Sequence, residues 1–152
     1  MGTVQRRLLS GTYECSLDNR FRMAIPARVR DPFAAGAMVG WWFDECVIVV
    51  PRDDWGSMIE RTFGSMSLLD DEQRELSRFL LAGAFDQDLD KQGRVLLPAE
   101  LREHAGIGNR AKVVGAGEYL EIWDPDRLAD RFASLRREGV SARAKRLADR
   151  VT

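Results

Sequence analysis

The feature that most constrains this chain is an internal repeat, because LDNRFRMAIPARVR at 17–30 returns as LDKQGRVLLPAELR at 89–102. The copies are offset by 72 residues, and the same offset aligns similar residues well outside the motif. The aligned pairs include Asp18 and Asp90, Arg22 and Arg94, Pro26 and Pro98, Gly11 and Gly83, Tyr13 and Phe85, and Ile48 and Leu120. One small unit stacked on its copy can bury a face that neither could bury alone. The repeat therefore predicts an α+β fold built from two tandem βαβ-like modules that share a core, with flanking helices.

The repeat divides the chain into five parts. We expect a flexible N-terminal extension at 1–8, a first repeat at 9–66, a connecting helix at 67–83, a second repeat at 84–137 and a basic C-terminal tail at 138–152. The tail is poor in large apolar residues, so the sequence allows either a helix on a partner or a loose arm.

Each module is predicted to run from a strand through a tight turn into a second strand and a short helix. Pro26 and Pro98 suit the first helical position, because the N–H group that proline lacks would have no partner there. The stretch 36–40 is predicted to be a loop, and 46–50 a buried strand. Longer helices are predicted at 51–63, from an Asp70 cap to a left-handed cap at Gly83, and after an Asp124 cap.

Composition narrows the class of protein. No apolar run approaches the roughly eighteen residues that a membrane span needs, and the first ten residues lack the apolar block of a signal peptide. We therefore expect a soluble, cytoplasmic protein with no membrane partner. Cys15 and Cys46 have no C-x-x-C spacing, and a single histidine offers no credible zinc site. We expect reduced, packed thiols, no metal and no cofactor.

The net charge of −1 conceals an uneven distribution. Residues 1–30 carry six arginines against two acids, and residues 101–152 carry eleven basic residues against eight acids. Residues 31–100 carry six basic residues against fourteen acids. This asymmetry is compatible with a basic face for an anionic partner, and equally with charge scattered over a solvated surface.

The repeated D-x-x-x-R pattern has two physical interpretations. The aspartate can stabilise a tight turn by accepting backbone N–H groups two residues on. The arginine four residues later can pair with it, so Asp18 with Arg22 and Asp90 with Arg94 form a structural turn motif. In the second copy, Gly93 supplies the positive φ that such a turn commonly needs. Alternatively, rigid turns can present arginines to guanine in a DNA groove.

The first turn is richer in arginine than the second and is predicted to face DNA. The second turn has Lys91, Arg94 and Arg102 nearby. One chain offers few such contacts, so tight specific binding would need several copies in a symmetric assembly. The candidate DNA-contacting residues are Arg6, Arg7, Arg20, Arg22, Arg28 and Arg30.

The doubled D-x-x-x-R, the proline-started helices and YLEIWD at 119–124 together resemble the MraZ family of bacterial transcriptional regulators, over roughly residues 9–137. The resemblance implies an AbrB-like swapped-hairpin fold (SpoVT-AbrB domain) with a double-split β-barrel. It implies a ring-shaped homo-oligomer, with an octamer as one candidate size, bound to double-stranded DNA. The implied sites are short guanine-rich direct repeats in the promoter of the division and cell-wall gene cluster, which implies a nucleoid-associated protein. Arg22 matches the family's first-motif arginine, the position carried over as DNA-contacting.

Phe21 departs from the family pattern, because it replaces the glycine that Gly93 keeps in the second copy. A phenylalanine at positive φ is unfavourable. We therefore expect the first turn to adopt another geometry, with Phe21 either packed on a neighbouring subunit or altering the tip that faces DNA. Arg20 stands where the family usually has lysine, which keeps the charge.

Two other classes of function compete with a DNA-binding regulator. The alternating aspartates at 86–90 share a strand face, but no histidine, serine or lysine at catalytic spacing accompanies them, and His104 stands alone. We expect neither catalysis nor a small-molecule substrate. A ring-forming scaffold or antitoxin-like interaction module without sequence-specific DNA recognition is the nearer competitor. Trp41 and Trp42, predicted to be exposed, would suit its protein contacts.

Overall fold

The computed structural model describes residues 8–64, 67 and 69–151. Within these residues the strands are β1 (Thr12–Ser16), β2 (Arg22–Ala24), β3 (Ala37–Trp41), β4 (Val47–Pro51), β5 (Phe85–Gln87), β6 (Arg94–Leu96), β7 (Arg110–Gly115) and β8 (Leu120–Trp123). The α-helices are α1 (Arg52–Phe63), α2 (Asp71–Ala82), α3 (Ala99–Ala105), α4 (Pro125–Glu138) and α5 (Val140–Val151). Short 3-10 turns occupy Ala27–Val29 and Asp31–Phe33. The predicted N-terminal extension lies outside the described residues except for Leu8.

The strands of the two halves are interleaved, and every strand pair is antiparallel. Six strands form one sheet in the order β1-β7-β8-β4-β3-β5, and β2 pairs with β6 in a separate ribbon. Each half therefore supplies partners for the other, with β1 beside β7, β5 beside β3 and β4 beside β8. The structure is a mixed α/β fold, but its pairing does not follow the parallel order of a βαβ unit.

The six-stranded sheet ends at β1 on one edge and β5 on the other, and these strands occupy equivalent positions in the repeat. Hydrogen bonds among the described residues leave this sheet open. A single bridge between Leu17 and Met23 joins β1 to β2 across the first turn. The double-split barrel that the resemblance implies stays a prediction.

Two apolar clusters cover opposite faces of the six-stranded sheet, as alternation along β4 shows. Val47 and Val49 belong to one cluster, and Ile48 and Val50 to the other, because successive side chains of a strand point to opposite faces. The first cluster receives the β2–β6 ribbon and the short helices. The second receives Met58 from α1, Leu80 from α2 and Leu128 from α4. The core shared by both halves was predicted from the repeat.

Side-chain caps start two of the helices where the sequence predicted them. Asp70 Oδ1 accepts the backbone N–H groups of Glu72 and Gln73, which α2 leaves without partners inside the helix. Asp124 Oδ2 accepts the N–H of Arg127 at the start of α4, and Pro125 occupies the first turn. Both caps satisfy donors that would otherwise face only water.

The left-handed cap predicted at Gly83 is wrong, because φ there is −94°. A Cβ atom at this position would overlap the Trp41 indole, so this glycine provides space for close packing. Trp41 stacks on Phe79 with ring centroids 4.7 Å apart and donates its Nε1–H to the Phe79 carbonyl at 2.7 Å. Trp42 is buried in the second cluster. The predicted exposure of both tryptophans is therefore wrong.

The stretch 36–40 was predicted to be a loop, and most of it is β3. The strand contains Gly40, whose lack of a side chain allows close approach of the backbone at Gly83. Among the described helices, none combines the length and the apolar character that crossing a membrane would require.

Candidate nucleic-acid interface

The two D-x-x-x-R turns have the same hydrogen bonds. In the first turn, Asp18 Oδ1 accepts the backbone N–H of Arg20 at 2.8 Å and that of Arg22 at 2.9 Å. The second turn repeats both bonds at the equivalent positions, each at 2.9 Å. Each aspartate N–H also donates to the carbonyl of the motif arginine, at 2.9 Å in the first turn and 3.2 Å in the second. The aspartate is therefore the residue that fixes the turn.

These bonds hold the pKa of both aspartates below the ordinary value. The main cause is a backbone N–H donated to the carboxylate, by Arg22 to Asp18 and by Arg94 to Asp90. Ion pairing with the same arginines lowers the pKa further, and partial loss of hydration opposes both effects. Both carboxylates are therefore ionised at neutral pH and accept these hydrogen bonds.

The four charged residues of the motif form one cluster that joins the halves, called here the charge cluster: Asp18, Arg22, Asp90 and Arg94. Within each turn, the arginine Nε lies 3.1 Å from Asp18 Oδ2 and 2.7 Å from Asp90 Oδ2. Across the turns, Arg94 Nη1 lies 3.1 Å from Asp18 Oδ2 and Arg22 Nη1 lies 3.6 Å from Asp90 Oδ2. The four side chains are 26 to 30% exposed. The two turns thus lie side by side, bound by charges of opposite sign.

The expectation that Phe21 forces another geometry on the first turn is wrong. Phe21 has φ of 62° and Gly93 has φ of 73°, so both residues are left-handed. The Phe21 N–H donates to the main-chain carbonyl of Asp18 at 3.0 Å, and the Gly93 N–H donates to that of Asp90 at 2.9 Å. The Phe21 carbonyl then accepts the N–H of Leu97, which follows β6, and the Gly93 carbonyl accepts the N–H of Ile25, which follows β2, each at 2.9 Å.

An arginine from the helix of the opposite half covers each turn. Arg102 lies 3.6 Å above the Phe21 ring and donates its Nε–H to the Leu97 carbonyl at 2.9 Å. Arg30, its equivalent in the repeat, donates to the Ile25 carbonyl at 2.9 and 2.6 Å and lies against Gly93. Phe21 therefore packs on its own chain and stays 43% exposed. The sequence contained the signal for this pair, since Arg30 and Arg102 align at the repeat offset.

The candidate DNA-contacting arginines fall into three groups. Arg20 and Arg28 are exposed; Arg20 lies in the first D-x-x-x-R turn and exposed Lys91 in the second, and these two cations are called here the turn surface, while Arg28 lies in the 3-10 turn Ala27–Val29. Arg22 and Arg30 are half-buried and engaged with protein oxygens. Arg6 and Arg7 lie outside the described residues. Contact of any of these arginines with DNA stays a prediction.

The acidic residues considered for catalysis have structural partners. Arg52 lies 2.7 Å from Asp86 and 2.7 Å from Asp88, which raises the pKa of the guanidinium, while Asp90 belongs to the charge cluster. His104 Nε2 lies 3.0 Å from the Asp44 carbonyl. Among residues 8–64, 67 and 69–151, no group of histidine, cysteine and acidic side chains could hold a metal ion.

Both cysteines are free. Burial raises the pKa of the Cys46 thiol, with nearby Glu121 and Asp44 adding to the effect, and burial raises that of Cys15. Each thiol is therefore protonated at neutral pH and a weak nucleophile.

The two halves of the chain each match the same known protein family. The family model described as "MraZ protein, putative antitoxin-like" matches residues 8–79 and again 80–151. A Transcriptional regulator MraZ of Roseiflexus castenholzii is 41% identical over 117 residues, 77% of this chain and 81% of that protein. The protein of the same name from Thermomicrobium roseum is 38% identical over 138 residues, 91% of this chain and 96% of that protein. That from Bifidobacterium longum is 37% identical over 137 residues, 88% of each chain.

Proposed function

The chain belongs to the MraZ family, and on that premise we propose that it is a sequence-specific DNA-binding transcriptional regulator. The observation that carries the proposal is the pair of cross-linked turns, around which the exposed cations of the turn surface lie. The relatives named as transcriptional regulators support it, since they cover most of the chain. An enzyme would need reactive groups, whereas Asp86, Asp88 and Asp90 are all paired with arginines.

The arginines predicted to contact DNA differ in how exposed they are. Arg20 and Arg28 are exposed and free to approach phosphates or guanine edges. Arg22 is held by Asp18 and lies near Asp90, so a contact with guanine would use the part of its guanidinium that faces away from the carboxylates. Its first role is to fix the turn that presents Arg20. Arg30 orients the second turn by lying against Gly93.

Several copies of the chain would act together. One chain presents one pair of turns, and specific protein–DNA interfaces need more contacts than a single small module supplies. We propose a ring-shaped homo-oligomer, built on a double-split β-barrel in each chain, that binds short guanine-rich direct repeats. The proposed sites lie in the promoter of the division and cell-wall gene cluster. Cyclic assembly suits repeated sites, because it presents the same surface at regular intervals.

A salt titration tests the proposal. The purified chain is titrated into labelled DNA from upstream of its own gene, and into shuffled DNA of the same composition, at several salt concentrations. We expect a clear preference for the native sequence and a steep log–log loss of affinity with salt. Arg20→Ala should weaken binding and reduce the salt slope by about 1 per bound copy. Arg22→Ala should abolish the preference for the native sequence.

The matched control is Arg136→Ala, which removes an exposed arginine from α4. It should leave affinity and salt slope unchanged if the turn surface carries the contacts. Equal binding to native and shuffled DNA, or unchanged affinity of both Arg20→Ala and Arg22→Ala, would favour the ring-forming scaffold or antitoxin-like module instead.

A further inference from the structure

The C-terminal helix α5 carries an apolar stripe that belongs to neither apolar cluster of the described residues. Val140 is 53% exposed, Leu147 50% and Val151 87%, and Ala144 and Ala148 of the same stripe are exposed as well. These positions fall on one face at 3.6 residues per turn. None of the described residues of α5 is buried. A helix of 12 residues is marginal in water without tertiary packing, so this stripe needs a partner.

The repeat identifies α2 as the counterpart of α5 in the first half. Positions 72, 75, 76 and 79 align at the repeat offset with 144, 147, 148 and 151. The two helices differ in how they are packed, because α2 inserts Leu80 into the second cluster. On its outer flank α2 keeps Leu76 42% exposed and Phe79 46% exposed. Each half thus ends in a helix that carries an exposed apolar stripe.

The net charges of the two helices are of opposite sign, with three acids against two arginines on α2 and four basic residues against one acid on α5. On α5, Arg143, Arg146 and Arg150 lie along one side of the apolar stripe. On α2, Glu72 and Glu75 share the exposed stripe with the two apolar residues, and Glu75 also pairs with Arg78 of the same helix at 2.6 Å. We propose that α5 of one chain packs on the outer flank of α2 in a second copy of this chain. The inference rests on the proposed self-assembly and names its contact.

The alternative of α5 against α5 is disfavoured, because it would bring the basic sides of both helices together. The contact between α5 and α2 is heterologous, so a pair of joined copies keeps one free α5 and one free α2. Such contacts propagate from copy to copy and form a ring when the rotation closes. The contact that closes a ring forms within a single assembly, so its effective concentration is high and each contact can be individually weak.

The first test replaces Leu147 by aspartate in the full chain and follows native mass with protein concentration. Leu147 is half exposed and belongs to neither apolar cluster, so the variant should fold as before. We expect the midpoint of assembly to rise at least about tenfold, the scale set by burying one leucine. Ala142→Asp is the matched control, since it adds the same charge on the opposite face of α5, and should leave assembly unchanged. An unchanged midpoint for Leu147→Asp would overturn the inference while leaving self-assembly intact.

The second test identifies the partner helix. In a Cys15→Ser background, a tagged chain with Leu147→Cys is mixed with an untagged chain carrying Leu76→Cys, and the mixture is oxidised. We expect disulfide-linked pairs of one tagged and one untagged chain. Predominant links between two Leu147→Cys chains would overturn the inference in favour of α5 on α5.

Two further outcomes separate this contact from other uses of a basic amphipathic helix. A wild-type chain that stays monomeric at every concentration would overturn both the contact and the proposed ring, even where DNA still binds to the turn surface. Unchanged assembly of Leu147→Asp together with loss of binding to phosphatidylserine vesicles would overturn the inference, because the stripe would then serve a lipid surface.

Discussion

The two D-x-x-x-R turns have the same backbone but differ at the one position where conformation matters most. Both are left-handed, at 62° for Phe21 and 73° for Gly93, although only glycine adopts such angles without cost. What they share is the aspartate, which accepts two N–H groups, and the bond from each turn to the residue that follows the short strand of the other half. The aspartate and the opposite half therefore impose the geometry of both turns. Glycine only lowers the free-energy cost of the left-handed conformation.

The difference between the turns appears in how the covering arginine lies. At Gly93, the missing side chain leaves room for Arg30, and an added Cβ would overlap the Arg30 side chain. At Phe21, the ring fills the equivalent space and Arg102 lies over its face, with Cζ 3.6 Å from the centroid. A cation over an aromatic ring at an exposed site contributes about 0.5–1 kcal/mol. The strain at Phe21 is therefore partly offset by a contact that the second turn lacks.

The largest expected effect on the second turn comes from Gly93→Ala, which adds a Cβ without a ring. We expect a loss of about 2–4 kcal/mol in the free energy of unfolding, because a left-handed alanine costs about 1–2 kcal/mol and disturbing the charged bonds of Arg30 costs about as much again. Denaturant unfolding of both chains measures it. In an Arg30→Ala background the steric part disappears, so the loss on adding Gly93→Ala should fall to about 1–2 kcal/mol. An equal loss in both backgrounds would show that Arg30 is not displaced.

The sequence predicted the aspartate-centred turns and the caps that start α2 and α4, because each depends on residues close together in the chain, whereas the geometry predicted for the first turn was wrong. Asp70 and Asp124 cap the helices they were expected to cap. The crossing of the halves was not predicted. A repeat shows that β1 and β5 are equivalent, but it does not reveal that each pairs with a strand of the other copy. Likewise, the ion pair between Asp18 and Arg94 joins residues 76 positions apart.

Close packing explains the errors at single residues. Gly83 was expected to end α2 by its left-handed conformation, and instead its missing side chain leaves space for the Trp41 indole. Two glycines in the stretch 36–40 suggested a loop, yet Gly40 belongs to β3, where the backbone of the α2 end approaches closely. In each case the glycine is needed for space, and no local pattern distinguishes that need from a turn.

Acid should weaken both turns together. The pKa of Asp18 and of Asp90 is lowered by the N–H bonds and ion pairs of the folded state. Their stabilisation is therefore complete above the ordinary aspartate pKa of about 4 and is lost as pH falls through the lower folded values. Asp18→Asn should be less stable than the wild type at pH 7, and the difference should shrink towards pH 3. Urea unfolding at both pH values measures it.

Asp90→Asn serves as the matched variant of the second turn. The two turns have equal hydrogen bonds and share the charge cluster, so both variants should follow the same pH dependence. A difference from wild type that persists unchanged at pH 3 would mean that the carboxylate charge contributes nothing. A pH dependence in only one variant would mean that the turns are not equivalent in energy.

The smallest expected effect belongs to Phe21→Gly, which gives the first turn the residue of the second. Relief of backbone strain should raise the free energy of unfolding by about 1–2 kcal/mol. Loss of the Arg102 contact and greater freedom of the unfolded chain should lower it by a similar amount. We expect the free energy of unfolding to stay within about 1 kcal/mol of the wild type, or to rise. A double-mutant cycle with Arg102→Ala should give a coupling of about 0.5–1 kcal/mol. A loss above about 2 kcal/mol on Phe21→Gly, the scale of a buried large side chain, would show that packing of the ring holds the first turn.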